Sequence, residues 1–233
     1  MSSSKRNAAA EHFRLNIRQS NELHRQYLDN EQLLRNYDSF ATWQLEYLLQ
    51  YFDDLYAEEG YGAALDFVMS DLAGVGISGR DRDLERVAPL ITTMLPLRAL
   101  QTIAAAAEMN ARVLELNIGI CRCLLVADRL PDTITEAQYF VACREAARFE
   151  ECVELVHLIT GLGRTLESLV KMPILGGLLR AMRGPAHAAG FGALQEFLET
   201  GYFTFRRIQD VDRFLTEIED RMIEVFTRIY TEG

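Results

Sequence analysis

The sequence has few of the features that break helices, cross membranes or bind polyanions. Five prolines are spread over 233 residues, so few positions force a helix to end. No apolar run reaches the ~18–20 residues that span a bilayer, because Arg98 interrupts the best candidate, residues 90–107. Lysine and arginine number 24 against 34 acidic residues, and the resulting net charge of −10 argues against a nucleic-acid partner.

The sequence also lacks signs of secretion and of a metal clasp. The N-terminus has no apolar core of the kind found in signal peptides. All four cysteines lie inside helical patterns, as small buried apolar residues do: Cys121, Cys123, Cys143 and Cys152. Two cysteines two positions apart diverge by about 200° on a helix, so Cys121 and Cys123 cannot share one ion. We therefore expect a cytoplasmic protein without a cofactor.

Helical periodicity runs along nearly the whole chain, and it is strongest between residues 97 and 128. Two apolar stripes repeat there, the first being Leu97, Leu100, Ala104, Ala107, Ala111, Leu114, Ile118, Cys121 and Leu125, and the second Met109, Val113, Leu116, Ile120 and Leu124. A helix that is apolar on two faces is normally surrounded by neighbours. Residues 97–128 are therefore predicted to form a central buried helix.

The rest of the chain fits around that helix as one domain. No stretch of four to eight residues shows the alternation typical of a strand, and no linker marks a domain boundary. We predict an all-α, single-domain helical bundle over residues 1–233, with residues 1–8 disordered. The stretch from about 8 to 36 carries many polar residues, so we expect it to pack on the outside.

Local motifs predict several helix ends. Thr135 and Gln138 have the spacing of a capping box, in which the hydroxyl and the amide side chain each satisfy a free backbone amide. Pro173 suits the first turn of a helix. Gly184 followed by Pro185 is expected to end that helix and begin the next one.

The segment 174–205 combines small residues with large apolar ones. Glycine costs ~1 kcal/mol relative to alanine in a helix, so several together need a reason. Close crossing of two helices is one reason, and room for a ligand is the other. A groove here, packed against the central helix, would use Met182, His187, Phe191, Leu194, Leu198 and Tyr202, with Arg180 and Arg183 at the rim for an anionic head group.

The leading hypothesis is a non-catalytic protein that binds an apolar small molecule, a lipid acyl chain or a partner helix through residues 174–205. Between residues 164 and 183 there are four basic residues and one acid. A basic amphipathic helix can lie on an anionic bilayer, but one segment of about ten residues does not by itself predict peripheral membrane contact.

Two alternatives remain open. Glu154 and His157 have the Glu-x-x-His spacing of ferritin-like metal-dependent oxidoreductases, although such sites need a second copy of the motif, which this chain lacks. The other alternative is a dimeric scaffold, in which apolar stripes of outer helices pair across a two-fold axis. We expect a homodimer.

Two stretches resemble a known family. Arg-Asp-Arg-Asp-Leu-Glu-Arg-Val-Ala-Pro at 80–89, continuing to the Leu-Pro at 95–96, resembles the region after the name-giving signature of the bacterial FFLEELY-motif proteins. The signature falls in degenerate form on residues 67–73, which read Phe-Val-Met-Ser-Asp-Leu-Ala and depart from it at Val68, Ser70 and Ala73. Residues 175–190 and 194–201 are similar to the C-terminal half of that family. The resemblance implies a bacterial, helical, uncharacterised protein and supplies no catalytic residues.

Overall fold

A computed structural model describes residues 2–28, 30–68, 78–126 and 134–232. Within these ranges the chain is helical and contains no strand, which confirms the all-α prediction. The α-helices found there are α1 (Ser2–Leu28), α2 (Glu31–Leu49), α3 (Asp53–Tyr56), α4 (Tyr61–Asp66), α5 (Ser78–Met94), α6 (Leu97–Val126), α7 (Glu136–Ala146), α8 (Phe149–Val170), α9 (Pro173–Ala188), α10 (Gly192–Phe205) and α11 (Val211–Thr231).

The helix α6 is the central helix that the sequence predicts. It packs against α1, α2, α7 and α8, and side chains from both of its apolar stripes are buried, including Leu100, Ile118 and Leu124. Its described part ends at Val126, so the last two residues of the predicted helix lie outside the described ranges. The pattern located this helix because neighbours cover it on several sides.

The first helix lies on the outside of the bundle, as predicted, and buries one side along α6. Phe13 and Ile17 of α1 are fully buried, and Ser20 is buried beside them. The Asn110 side chain on α6 donates a hydrogen bond to the Ser20 hydroxyl at 3.0 Å. Polar residues with partners of this kind can be buried at little cost, and they interrupt the apolar pattern that marks a buried helix.

The helix α1 begins at Ser2, whereas the sequence predicted disorder through residue 8. The Arg6 guanidinium donates hydrogen bonds to the backbone oxygens of Thr92 and Leu95, each at 2.9 Å. Both oxygens lie at the C-terminal end of α5, where carbonyl groups lack partners within the helix and the helix dipole favours a cation. This contact ties the first turns of α1 to the bundle.

Two of the predicted helix starts are confirmed. At the start of α7, the Gln138 backbone amide donates to the Thr135 hydroxyl at 3.3 Å, and the Thr135 amide donates to the Gln138 side chain at 2.9 Å. Pro173 occupies the first turn of α9. Both motifs are local chemistry, so they could be recognised without knowledge of the fold.

The predicted break at Gly184 and Pro185 is wrong, because α9 continues to Ala188. Proline at this position removes the amide that would bond the Ala181 carbonyl one turn earlier. Ala181 and Pro185 are both exposed, so water can satisfy that carbonyl. An exposed helix side therefore tolerates a proline that a buried side would not.

The hairpin formed by α9 and α10 lies at one side of the bundle. The two helices pack on each other and on α4, α5 and α8. The central helix is not among their main neighbours, contrary to the sequence prediction, because α1, α2, α7 and α8 already cover it. Among the described helices, none has the length and apolar character needed to cross a membrane.

Gly60, in the turn before α4, provides a test of the fold. Its φ of +87° is favourable for glycine, and an added Cβ would lie 3.0 Å from the Arg207 backbone oxygen. Gly60→Ala is expected to lower the free energy of unfolding by about 1–3 kcal/mol in urea titrations. Gly161→Ala is the control: a Cβ there meets nothing within 4 Å, so we expect a gain of about 0.5–1 kcal/mol. A loss at both sites would contradict the description of these glycines.

Candidate functional site

The structure brings the predicted site residues into one hairpin but distributes them over two sides. Arg180, Met182, Arg183 and His187 are on α9, Phe191 lies in the connection, and Leu194, Leu198 and Tyr202 are on α10. Leu194 and Tyr202 are buried, whereas Met182 and Leu198 are exposed. One continuous groove lined by all of them is therefore not what the fold presents.

The inner side of the hairpin is closely packed. The Tyr202 hydroxyl lies 2.9 Å from the position that a Cβ on Gly176 would take, so glycine is needed for this approach. The Gln195 side chain donates a hydrogen bond to the Leu179 backbone oxygen at 2.6 Å. Of the two explanations for small residues in this segment, close helix packing accounts for Gly176.

The predicted rim cations already have partners within the hairpin. Arg183 Nη2 lies 2.5 Å from a carboxylate oxygen of Glu199, and this hydrogen bond holds the pKa of Glu199 below its ordinary value. The Arg180 guanidinium lies over the Phe203 ring at 4.9 Å from its centroid. An anionic head group would have to compete with Glu199 for Arg183, so we expect Arg183 to contribute little to binding such a group.

His187 is also engaged within the hairpin. Its Nε2 atom is 3.8 Å from a carboxylate oxygen of Glu196, and its ring lies against Gly192, where an added Cβ would be 2.6 Å from Nδ1. The side chain is half exposed. These contacts place His187 at the rim of the hairpin, and neither of them is to a nucleophilic side chain.

The outer side of α9 carries a continuous apolar surface, which we call the α9 face. Its members are Ile174, Gly177, Leu178, Ala181, Met182, Gly184, Pro185 and Ala188. At 100° per residue they cover an arc of roughly 160°, and none of the eight is charged. The exposed fractions of Ile174, Leu178 and Met182 are 73%, 49% and 42%. Exposed apolar patches of this kind mark interaction sites on soluble proteins.

The small residues of the α9 face leave open space. A Cβ added to Gly177 or Gly184 would meet no atom within 4 Å, and Ala181 between them is exposed. Gly177 and Gly184 are therefore not explained by packing within the chain, unlike Gly176. Of the large members, Met182 was predicted as a site residue, while Ile174 and Leu178 were not. Ile174, Leu178 and Met182 are spaced four residues apart, and this spacing is the signal in the sequence that places them on one side of a helix.

In the part of the chain that the structure describes, Glu154 and His157 of the alternative metal site are not joined by further ligands. The Glu154 side chain is 68% exposed and lies 3.9 Å from Arg112. His157 Nδ1 lies 3.3 Å from a carboxylate oxygen of Glu219 on α11. Over the described ranges, no three histidine, cysteine, aspartate or glutamate side chains converge in a way that could hold an ion. A ferritin-like centre needs several such ligands on facing helices.

Glu219 belongs to a polar cluster between α8 and α11. The Thr160 hydroxyl donates to its carboxylate at 2.5 Å, and the Arg164 guanidinium donates to the same oxygen at 3.1 Å. These hydrogen bonds, that of Thr160 first, hold the pKa of Glu219 below its ordinary value of 4.5. The cluster links α8 to α11 through hydrogen bonds, so we interpret it as a structural contact.

The lowered pKa of Glu219 predicts a pH dependence of stability. The folded state favours the charged carboxylate, so its contribution is present above the unfolded pKa and is lost as the pH falls through the folded pKa. Glu219→Gln is expected to reduce the free energy of unfolding by about 1 kcal/mol at pH 7 and by less near pH 3. Urea titrations at both pH values measure this. Glu154→Gln, with its distant partner, should change neither value, and an equal loss in both variants would contradict the cluster's role.

Comparison with known proteins gives a family but no activity. Residues 23–233 match the model of a family described as Domain of unknown function (DUF8198). The chain belongs to this family. The match includes all of α9 and α10, so the α9 face is part of the family's domain. No curated protein and no solved structure matches the chain. The similarity to the FFLEELY-motif proteins stays a prediction.

Proposed function

We propose that this member of the DUF8198 family is a non-catalytic interaction protein whose binding surface is the α9 face, and that α9 of a second copy occupies it. The observation that carries the proposal is the exposure of Ile174, Leu178 and Met182 on one uncharged helix side. Single exposed leucines are ordinary, whereas a continuous apolar row is not.

A helix suits this surface better than a small molecule does. The 16 residues of α9 extend over about 24 Å at 1.5 Å per residue. An acyl chain or a small apolar molecule would cover only part of the row. Gly177, Ala181 and Gly184 would let the backbone of a partner helix approach closely, and the large side chains would then pack on either side of it.

The sizes of the side chains favour a second copy in the antiparallel orientation. With a two-fold axis at Ala181, Ile174 lies opposite Ala188 and Leu178 lies opposite Gly184, so these two large residues meet small ones. A parallel pair would place large against large and small against small. One face that is complementary to itself is what a two-fold dimer requires.

The charges of α9 do not oppose this pairing. Arg180 and Arg183 lie outside the arc of the α9 face, and each has a partner in its own hairpin, Phe203 and Glu199 respectively. No charged side chain of α9 would therefore be buried without a partner in the dimer. The cytoplasmic location and the bacterial source stay predictions from the sequence.

Light scattering on the purified chain tests the proposal. We expect a particle of twice the chain mass of 26.5 kDa at micromolar concentration, with dissociation on dilution. A mass of 26.5 kDa at about 100 μM would show that a second copy does not occupy the face.

A further inference from the structure

A second feature lies between helices of the bundle and shares no residue with the α9 face. A partly open pocket of about 110 Å³ lies between α2, α6, α8 and α11, with Val68 also in its lining. Among the described residues, its lining is apolar except for two amides, Gln44 and Asn117. Met109 and Val113 of α6 face Ile218 and Met222 of α11 across it. Sites between the helices of a bundle are a common place for ligands.

We propose that this pocket is a binding site for a small apolar molecule, about the size of benzene or smaller. The pocket volume of about 110 Å³ is comparable to that of an engineered apolar cavity of about 150 Å³ that binds benzene or xenon. Met109 and Met222 in its wall have flexible thioether side chains, which adapt to the shape of a guest.

The polar groups of the wall favour an apolar guest over water. The Gln44 side chain donates a hydrogen bond to the Tyr139 hydroxyl at 3.2 Å, and the Asn117 side chain is hydrogen-bonded to Tyr37. Both amides are thus engaged by the protein. A buried water needs two to four polar partners, and these two amides offer few free ones.

A surface cleft lies next to the pocket. The cleft has a volume of about 340 Å³ and lies where α6 meets the end of α7 and the start of α8, with Arg112 and Glu115 at its polar side. Leu116 and Leu155 line both the cleft and the pocket. These two side chains therefore lie between the two spaces. The second apolar stripe of α6, which includes Val113 and Leu116, therefore serves as the wall of a site as well as a packing surface.

Methyl NMR on the full chain tests this site with xenon and benzene as probes. Met109 and Met222 line the pocket, whereas Met172 and Met182 are exposed on or near α9. With [¹³C]methyl-methionine, we expect saturable shifts of Met109 and Met222 and none of Met172 or Met182. Shifts at the two exposed methionines alone would place the probe on the α9 face, and no saturable shift at Met109 and Met222 would overturn the site.

Two variants of Val113 sharpen the test. Val113→Phe fills the pocket and should weaken benzene binding by at least about tenfold, while Val113→Ala enlarges it and should retain binding. Unchanged binding in folded Val113→Phe would overturn the proposal. If Val113→Phe does not fold, the wild-type spectra decide alone. The outcome is independent of the oligomeric state, so failure here leaves the proposed function untouched.

Discussion

Leu178→Glu is expected to weaken the dimer by at least about 100-fold in dissociation constant, close to 3 kcal/mol. Leu178 is at the middle of the exposed row, and in the antiparallel pair it packs against Gly184 of the other copy. A carboxylate there would lose water on association without gaining a cationic partner. Because the side chain is exposed in the single chain, the fold itself should be unaffected, and thermal melts followed by circular dichroism would check this.

Leu15→Glu is the matched control for that experiment. Leu15 is also a large exposed apolar residue, at 63%, but it lies on α1, away from the α9 face. Light scattering should give the wild-type mass for Leu15→Glu and the single-chain mass for Leu178→Glu at the same concentration. Equal effects of the two variants on the mass would indicate nonspecific hydrophobic association and would contradict a defined interface on α9.

Phe214→Ala is expected to lower the free energy of unfolding by about 3–5 kcal/mol. Phe214 is fully buried on α11, in a cluster with Phe52 and Leu55, and its ring centroid lies 4.8 Å from that of Tyr61. Its removal would leave a cavity where three separate parts of the chain meet. Since domains have total stabilities of about 5–15 kcal/mol, this single change would remove a large fraction.

Urea titrations of Phe214→Ala and Phe203→Ala provide the comparison. Phe203 is only partly buried, at the edge of the same cluster on α10. We expect Phe203→Ala to lower the free energy of unfolding by about 1 kcal/mol, which is less than half of the loss at Phe214. Similar losses for the two variants would contradict the structure, in which Phe214 is fully buried in this cluster and Phe203 is only partly buried.

The features of the fold that sequence reasoning captured are those with local or repeated causes. The central helix showed two apolar stripes over about four heptads, and the capping box at Thr135 depends on atoms three residues away. The burial of polar residues on α1 was not predicted, because Ser20 is buried by a hydrogen bond from Asn110, 90 residues along the chain. Polar residues of this kind look like surface until their distant partners are known.

The sequence points to the segment that carries the proposed binding surface, but it does not show which side of α9 is exposed. Periodicity shows that α9 has apolar sides without showing which one is buried. The fold places Leu179 inward and Leu178 outward, one residue apart. The partners of Arg180 and Arg183 are on α10, 16 or more residues away, so the rim cations could not be known to be engaged.

Disulfide trapping at Ala181 tests the central claim, antiparallel pairing of two α9 faces, most directly. With a two-fold axis at Ala181, Ala181→Cys should oxidise to a covalent dimer, because closely crossing helices bring facing Cα atoms within the about 4.4–6.8 Å that a disulfide spans. Ile174→Cys should not pair with itself but should pair with Ala188→Cys on mixing. The wild-type chain measures the background from its native cysteines. Equal self-pairing of Ile174→Cys, or none by Ala181→Cys, would contradict the account.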